Sequence, residues 1–157
     1  LGIKGSIVAT NIHQYSVGKV NMFYFYRFIV LPWELEWKNK KFLMNKGALG
    51  KFCLEQKINI KSFESADKLR AAITAEYEKE EKEAIGILWF VRQDTKPKDT
   101  LRHLRNCFAH GNYKKRQKNR TQCIVIENID KEQVKAKGFL PIEKLSKIVR
   151  AASSCGV

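Results

Sequence analysis

Apolar positions keep a helical period most clearly over residues 66–93. There Leu69, Ile73, Tyr77, Ala84, Leu88 and Val91 share one face, and the period lapses only around Glu80 and Glu81. The outer face mixes Glu and Lys at i, i+4, which reads as a solvated surface and not as paired catalytic carboxylates. Residues 62–65 read as a linker into this helix, with Ser65 as its N-cap and Asp67 in its first turn. Leu101, Leu104 and Phe108, at i, i+3 and i+7, predict a second amphipathic helix, opened by Pro97 and Asp99 and stopped by Gly111. Residues 122–127 alternate as a strand with Ile124 and Ile126 on one face, 128–131 turn, and 134–139 return, so a small hairpin is expected before the last helix. Pro141 opens that helix, whose buried stripe is Ile142, Leu145, Ile148, Val149 and Ala152. A short helix is expected over 49–57. Residues 22–31 are ambiguous: their aromatic and β-branched content suits a strand, while the run extended through Trp33, Trp37 and Phe42 suits a long helix kinked at Pro32. Residues 1–17 are polar and mixed, and neither repeats nor low-complexity segments occur.

Length and composition sharpen this. A chain of 157 residues with 44% hydrophobic positions is expected to form one domain, 1–157, with a core of its own. Thirty Lys+Arg against 16 Asp+Glu leave a net charge of +14, a field that favours polyanions, nucleic acid first among them. An acidic membrane surface or an acidic protein partner would answer the same charge. Lys38, Lys40, Lys41, Lys46 and Lys51 form one basic band. Residues 114–120 form another, with five cations in seven residues, and mutual repulsion predicts an exposed, mobile loop there. Cys53, Cys107, Cys123 and Cys155 have neither C-x-x-C spacing nor paired His ligands, so they are expected as reduced thiols of a cytoplasmic protein and not as a zinc site. Cys107 is expected as a buried helix-side thiol and not as a nucleophile. The most apolar run, 20–37, is broken by Arg27, Pro32, Glu34 and Glu36, so no membrane span is expected. Its aromatics suit core filling better than a stacking platform for bases, being contiguous and hardly interleaved with charge.

Candidate chemistry gathers on the helix of residues 97–110. Opposite the apolar stripe, at about 100° per residue, stand Arg102, His103, Asn106 and His110, with Arg105 on the flank. Attack of an RNA 2′-hydroxyl on its own phosphate needs proton removal, proton donation and relief of negative charge. Imidazole titrates near neutrality and a guanidinium grips phosphate oxygens in two prongs. No metal is obligatory, because RNA brings its own nucleophile. A solvated helix face with a capping His is the plainer account of the same residues. The bare Arg-x4-His spacing is cheap, since eight arginines and three histidines give roughly 0.15 chance matches in a chain this long. His13 has no partner at any telling spacing.

The fuller string is more specific. Arg105-Asn106-Cys107-Phe108-Ala109-His110-Gly111, with Leu-Arg-His-Leu before it and Asn-Tyr after, resembles the R-x4-H signature of the HEPN superfamily, bacterial members especially. The resemblance covers residues 97–113 and, more weakly, the flanking helices. It implies a mainly α fold, a compact helical bundle with the small hairpin inserted, and it turns the reading of 22–42 to helix. It also implies a metal-independent ribonuclease without cofactor, often dimeric, with Arg105, Asn106 and His110 as site residues contributed by two protomers to one cleft. In that reading His110 is general acid or base, Arg105 stabilises the charged phosphorane and Asn106 orients the imidazole or the substrate. Arg102, His103, Lys114, Lys115, Arg116, Lys118 and Arg120 are the expected RNA contacts. Two rivals remain: a non-catalytic RNA- or nucleotide-binding module, and an interaction domain whose basic surface docks an acidic partner such as an antitoxin.

Overall fold

The computed structural model describes residues 25–43 and 48–157, so His13, Lys46 and residues 1–24 lie outside the described residues. The first element among the described residues is a helix, α1, π-wound over Tyr26–Val30 and α-helical over Leu31–Leu35, followed by a 3₁₀ turn at Trp37–Asn39. Then come α2 (Ala48–Gln56) and β1 (Ile58–Phe63). Helix α3 runs through Ala66–Ala72, a π-wound Ile73–Tyr77 and Glu78–Glu83. It is followed by β2 (Gly86–Val91), α4 (Lys96–Ala109), β3 (Tyr113–Lys118), β4 (Thr121–Asp130), β5 (Gln133–Pro141) and α5 (Ile142–Ser153).

The strands form one mixed sheet in the order β1-β2-β5-β4-β3. Strands β1 and β2 are parallel through the α3 crossover, and all other neighbours are antiparallel. One sheet face packs Ile58, Ile60, Leu88, Phe90, Ile124, Ile126 and Leu140 beneath α1, α2, α4 and α5. The other carries Ile87, Trp89, Cys123 and Phe139 against Leu69 and Tyr77 of α3. The result is an α/β protein with helices on both faces, the larger core lying under α4.

This five-stranded sheet overturns the mainly α bundle. Gly86–Val91 shows no alternation because both its faces are buried, and Leu88 and Val91 happen to fall at helical spacing from Ala84. The lapse at Glu80 and Glu81 marks the approach to the helix end at Glu83. Residues 62–63, expected as linker, complete β1. Residues 114–118, expected as part of a mobile loop, form the edge strand β3, whose charges hide the period-2 pattern while blunting an edge open to foreign strands. Asn119 and Arg120, at φ 48° and 67°, close the β3–β4 hairpin with two left-handed residues, the form that matches strand twist. Lys131 and Glu132, at 52° and 66°, do the same between β4 and β5, so that turn falls a little later than residues 128–131. The hairpin itself, the helices over 49–57 and 97–110, and the last helix opened at Pro141 match expectation. None of the four cysteines is in a disulfide, and burial pushes the Cys107 thiol up to about 12, so it is no nucleophile at neutral pH. Among the described residues no helix is long and apolar enough to cross a membrane.

Candidate active-site cleft

Helix α4 carries the site, and its own sequence places it. Pro97 sits in the first turn, where its missing donor costs nothing. The buried Asp99 carboxylate accepts from the Gln93 and Asp94 backbone N–H groups, both at 2.9 Å, and so folds the turn from β2 back onto the helix. At the other end Gly111 takes φ 70°. The Asn112 N–H reaches Cys107 O at 2.7 Å and the Gly111 N–H reaches Phe108 O at 3.4 Å, the paired bonds of a left-handed helix stop. His110 is thereby left as the exposed C-cap of the helix, while Asn112 is turned back beside it.

Leu101, Leu104 and Phe108 are buried as expected, with Phe108 stacked on Phe25 at 4.0 Å. The buried arc is wider than the apolar stripe, because Thr100, His103 and Cys107 form a second buried row. His103, expected on the solvent face, is 1% exposed and stacks on Phe90 at 4.8 Å. Its Nε2 donates to Val91 O at 3.0 Å, and desolvation lowers its pKa below the ordinary value, so the neutral imidazole is the favoured form.

The exposed arc divides in two. On one side Asn106 and His110 line a cleft of about 570 Å³ between α4 and the ends of β4 and β5, with the His103 ring in its wall. Gln93, Asn112, Asn128, Ile129, Asp130 and Lys135 also line it, and Asn112 Nδ2 donates to Asn128 Oδ1 at 3.2 Å. On the other side lies Arg105, outside the cleft. Its guanidinium binds Glu34 of α1 and donates to Asn106 Oδ1 at 2.8 Å. Arg102 faces the same side, 3.5 Å from Asp99 and 5.2 Å over the Trp33 ring, so it braces α4 and α1.

The basic stretch after the motif also divides. Lys114 and Lys115 are exposed on β3 and Arg120 is exposed in the hairpin turn. Arg116 pairs with Glu81 at 2.9 Å; Lys118 donates to Glu81 O and covers the Phe139 ring at 4.0 Å. Those two fasten the sheet edge to α3. The structure thus brings Asn106, His103 and His110 together and leaves Arg105, Arg102, Arg116 and Lys118 committed to other partners. Sequence reasoning missed Lys135, Asn128 and Asp130; strand alternation alone does not reveal them, because they converge only when the sheet forms.

Helix α4 of this α/β domain thus ends in an Asn-x3-His pair over a polar cleft. The chain belongs to the family HEPN pEK499 p136, which matches residues 4–155 and marks it as a HEPN-type nuclease or RNA-related module. No curated protein and no solved structure matches it.

Proposed function

We propose that the protein is a metal-independent endoribonuclease of HEPN type, acting on single-stranded RNA at the Asn106–His110 cleft. The observation that carries this is the exposed imidazole at the helix stop, one turn beyond an amide in the same cleft. A neutral His110 would take the 2′-hydroxyl proton as the 2′-oxygen attacks phosphorus. The bond to the 5′-oxygen then breaks and the leaving oxygen takes a proton from an imidazolium. Asn106 would fix the phosphate or the imidazole, and Arg105 would meet the charged phosphorane once released from Glu34. Arg105 and His110 on one helix stand about 140° apart around the axis and about 7.5 Å along it. A homodimer pairing two α4 helices would supply both groups to one phosphate, and an acidic antitoxin-like partner would suit the charge of +14.

His110→Ala removes the proton-transfer group and should cost about two to four orders of magnitude in cleavage, with RNA affinity within a few fold. Products should carry a 2′,3′-cyclic phosphate and a 5′-hydroxyl, cleavage should survive EDTA, and a 2′-deoxy at the cut site should block it. Parent-like cleavage by His110→Ala, or loss of activity in EDTA, overturns the mechanism. A second reading, an RNA-binding module without turnover, is favoured by one observation: the Arg105 guanidinium is held by Glu34 and Asn106. Absence of cleavage together with salt-sensitive RNA binding would establish it.

A further inference from the structure

Lys135 enters the cleft through a fault in strand alternation. Ile129 pairs with Val134 and Asn128 pairs with Ala136, so Lys135 is the extra residue of a β-bulge. Either side of it, Lys137 lies over the Tyr77 ring at 5.1 Å and Val134 packs into the same α3-side cluster. Residues three apart on a regular strand face opposite sides; the bulge puts both on one. Without it, Lys135 would share the face of Lys137 and Phe139. With it, Lys135 lines the His110 cleft, on the face of Asn128. Bulges re-aim side chains and recur next to active sites.

The charge balance of the cleft makes this placement consequential. Asp130 and Lys135 are the charged residues among the lining, and Asp130 is exposed near the hairpin tip. Arg105, the cation of the motif, lies outside it on Glu34. Among the described residues, Lys135 is therefore the one ammonium lining the cleft that a phosphodiester seated against His110 and Asn106 would meet. Lys135 is half-buried and its Nζ makes a weak 3.2 Å bond to Gln133, easily exchanged for a phosphate oxygen. Its charge also reaches His103, where it opposes protonation of that ring.

We propose that Lys135 is the phosphate-binding cation of the cleft, holding the RNA phosphodiester against His110 from the sheet side. This rests on the reading of the cleft as an RNA site, and deepens it by assigning the in-chain counter-charge to a strand residue outside the helix motif.

The test uses the full chain, a short fluorescein-labelled single-stranded RNA of mixed sequence, and the same RNA with 2′-deoxy sugars for binding without turnover. Parent, Lys135→Gln, Lys135→Arg and His110→Ala are compared for affinity across a salt series and for cleavage. Lys135→Gln should weaken binding about ten- to a hundredfold and flatten the slope of log affinity against log salt by roughly 0.7, one phosphate contact on a single strand. Lys135→Arg should restore most of both, and all variants should melt as the parent does. If Lys135→Gln binds as the parent while His110→Ala is inert, the nuclease reading stands and Lys135 is not its phosphate ligand. If nothing cleaves but Lys135→Gln loses affinity, the phosphate contact stands and the nuclease reading falls. A parent that binds no RNA overturns both.

Discussion

Arg105 of α4 is ion-paired with Glu34 of α1, 71 residues earlier in the chain, and this pair holds the motif arginine on the far side of the helix from His110. The carboxylate occupies the guanidinium as a phosphate would. Lys38 shares it, 2.8 Å from Glu34, so Glu34 is the acid between two cations.

Glu34→Gln should therefore release Arg105 and raise affinity for single-stranded RNA by up to about fivefold at low salt, the scale of an exposed ion pair. Fluorescence anisotropy measures this, and a parent-like affinity would mean RNA does not meet Arg105. Acidification acts in the same direction. Hydrogen bonds from Lys38 and then Arg105 hold the Glu34 carboxyl below its ordinary 4.5. The pair thus contributes fully above that value and is lost as pH falls through the depressed one. In Arg105→Ala the Glu34 titration, followed by NMR, should move back up.

The exposed cations of β3 should bind RNA without stabilising the fold. Replacing Lys114 and Lys115 together by Gln should flatten the salt dependence of binding by about 1.4, two single-strand contacts, with an unchanged melting temperature. Arg116→Gln should instead loosen the β3–α3 contact, through loss of Glu81, and change the slope less. A slope untouched by the lysine pair would leave β3 as a solubilising edge.

His103 predicts a pH dependence of stability. Burial lowers its pKa beneath 6.5, so the unfolded chain takes up that proton first as pH falls. Its contribution is whole above pH 6.5 and declines as pH drops from there towards the depressed folded value. His103→Phe keeps a ring on Phe90 and removes the titration. Denaturant melts between about pH 7 and 5 should show a shallower loss of stability in the variant. Equal slopes would mean His103 is not the group responsible.

Gly138 tests the sheet. A Cβ there would stand 2.0 Å from Ile87 O, where β5 pairs with β2. Gly138→Ala should cost about 3 kcal/mol or more, or prevent folding, as read by chemical denaturation and expression of soluble protein.

Local rules in the sequence determined the site helix almost completely. Pro97, Asp99, the Leu101–Leu104–Phe108 stripe and Gly111 define where it starts, which side it buries and where it stops, because capping, dipole and period act within a few residues. The motif string in it was enough to indicate the HEPN family that spans residues 4–155. The hairpin and the last helix were legible for the same local reasons. The tertiary structure alone decided the sheet. Gly86–Val91, buried on both faces, carries no period that separates strand from helix, and β3 conceals its period under charge. It also decided the chemistry's neighbours. Whether His103 is solvated or stacked on Phe90, whether Arg105 meets a phosphate or Glu34, and whether Lys135 faces α3 or the cleft depend on contacts between distant segments and on one extra residue in a ladder. Helical spacing sets the direction of a side chain; what it finds there is set by whatever the rest of the fold brings alongside.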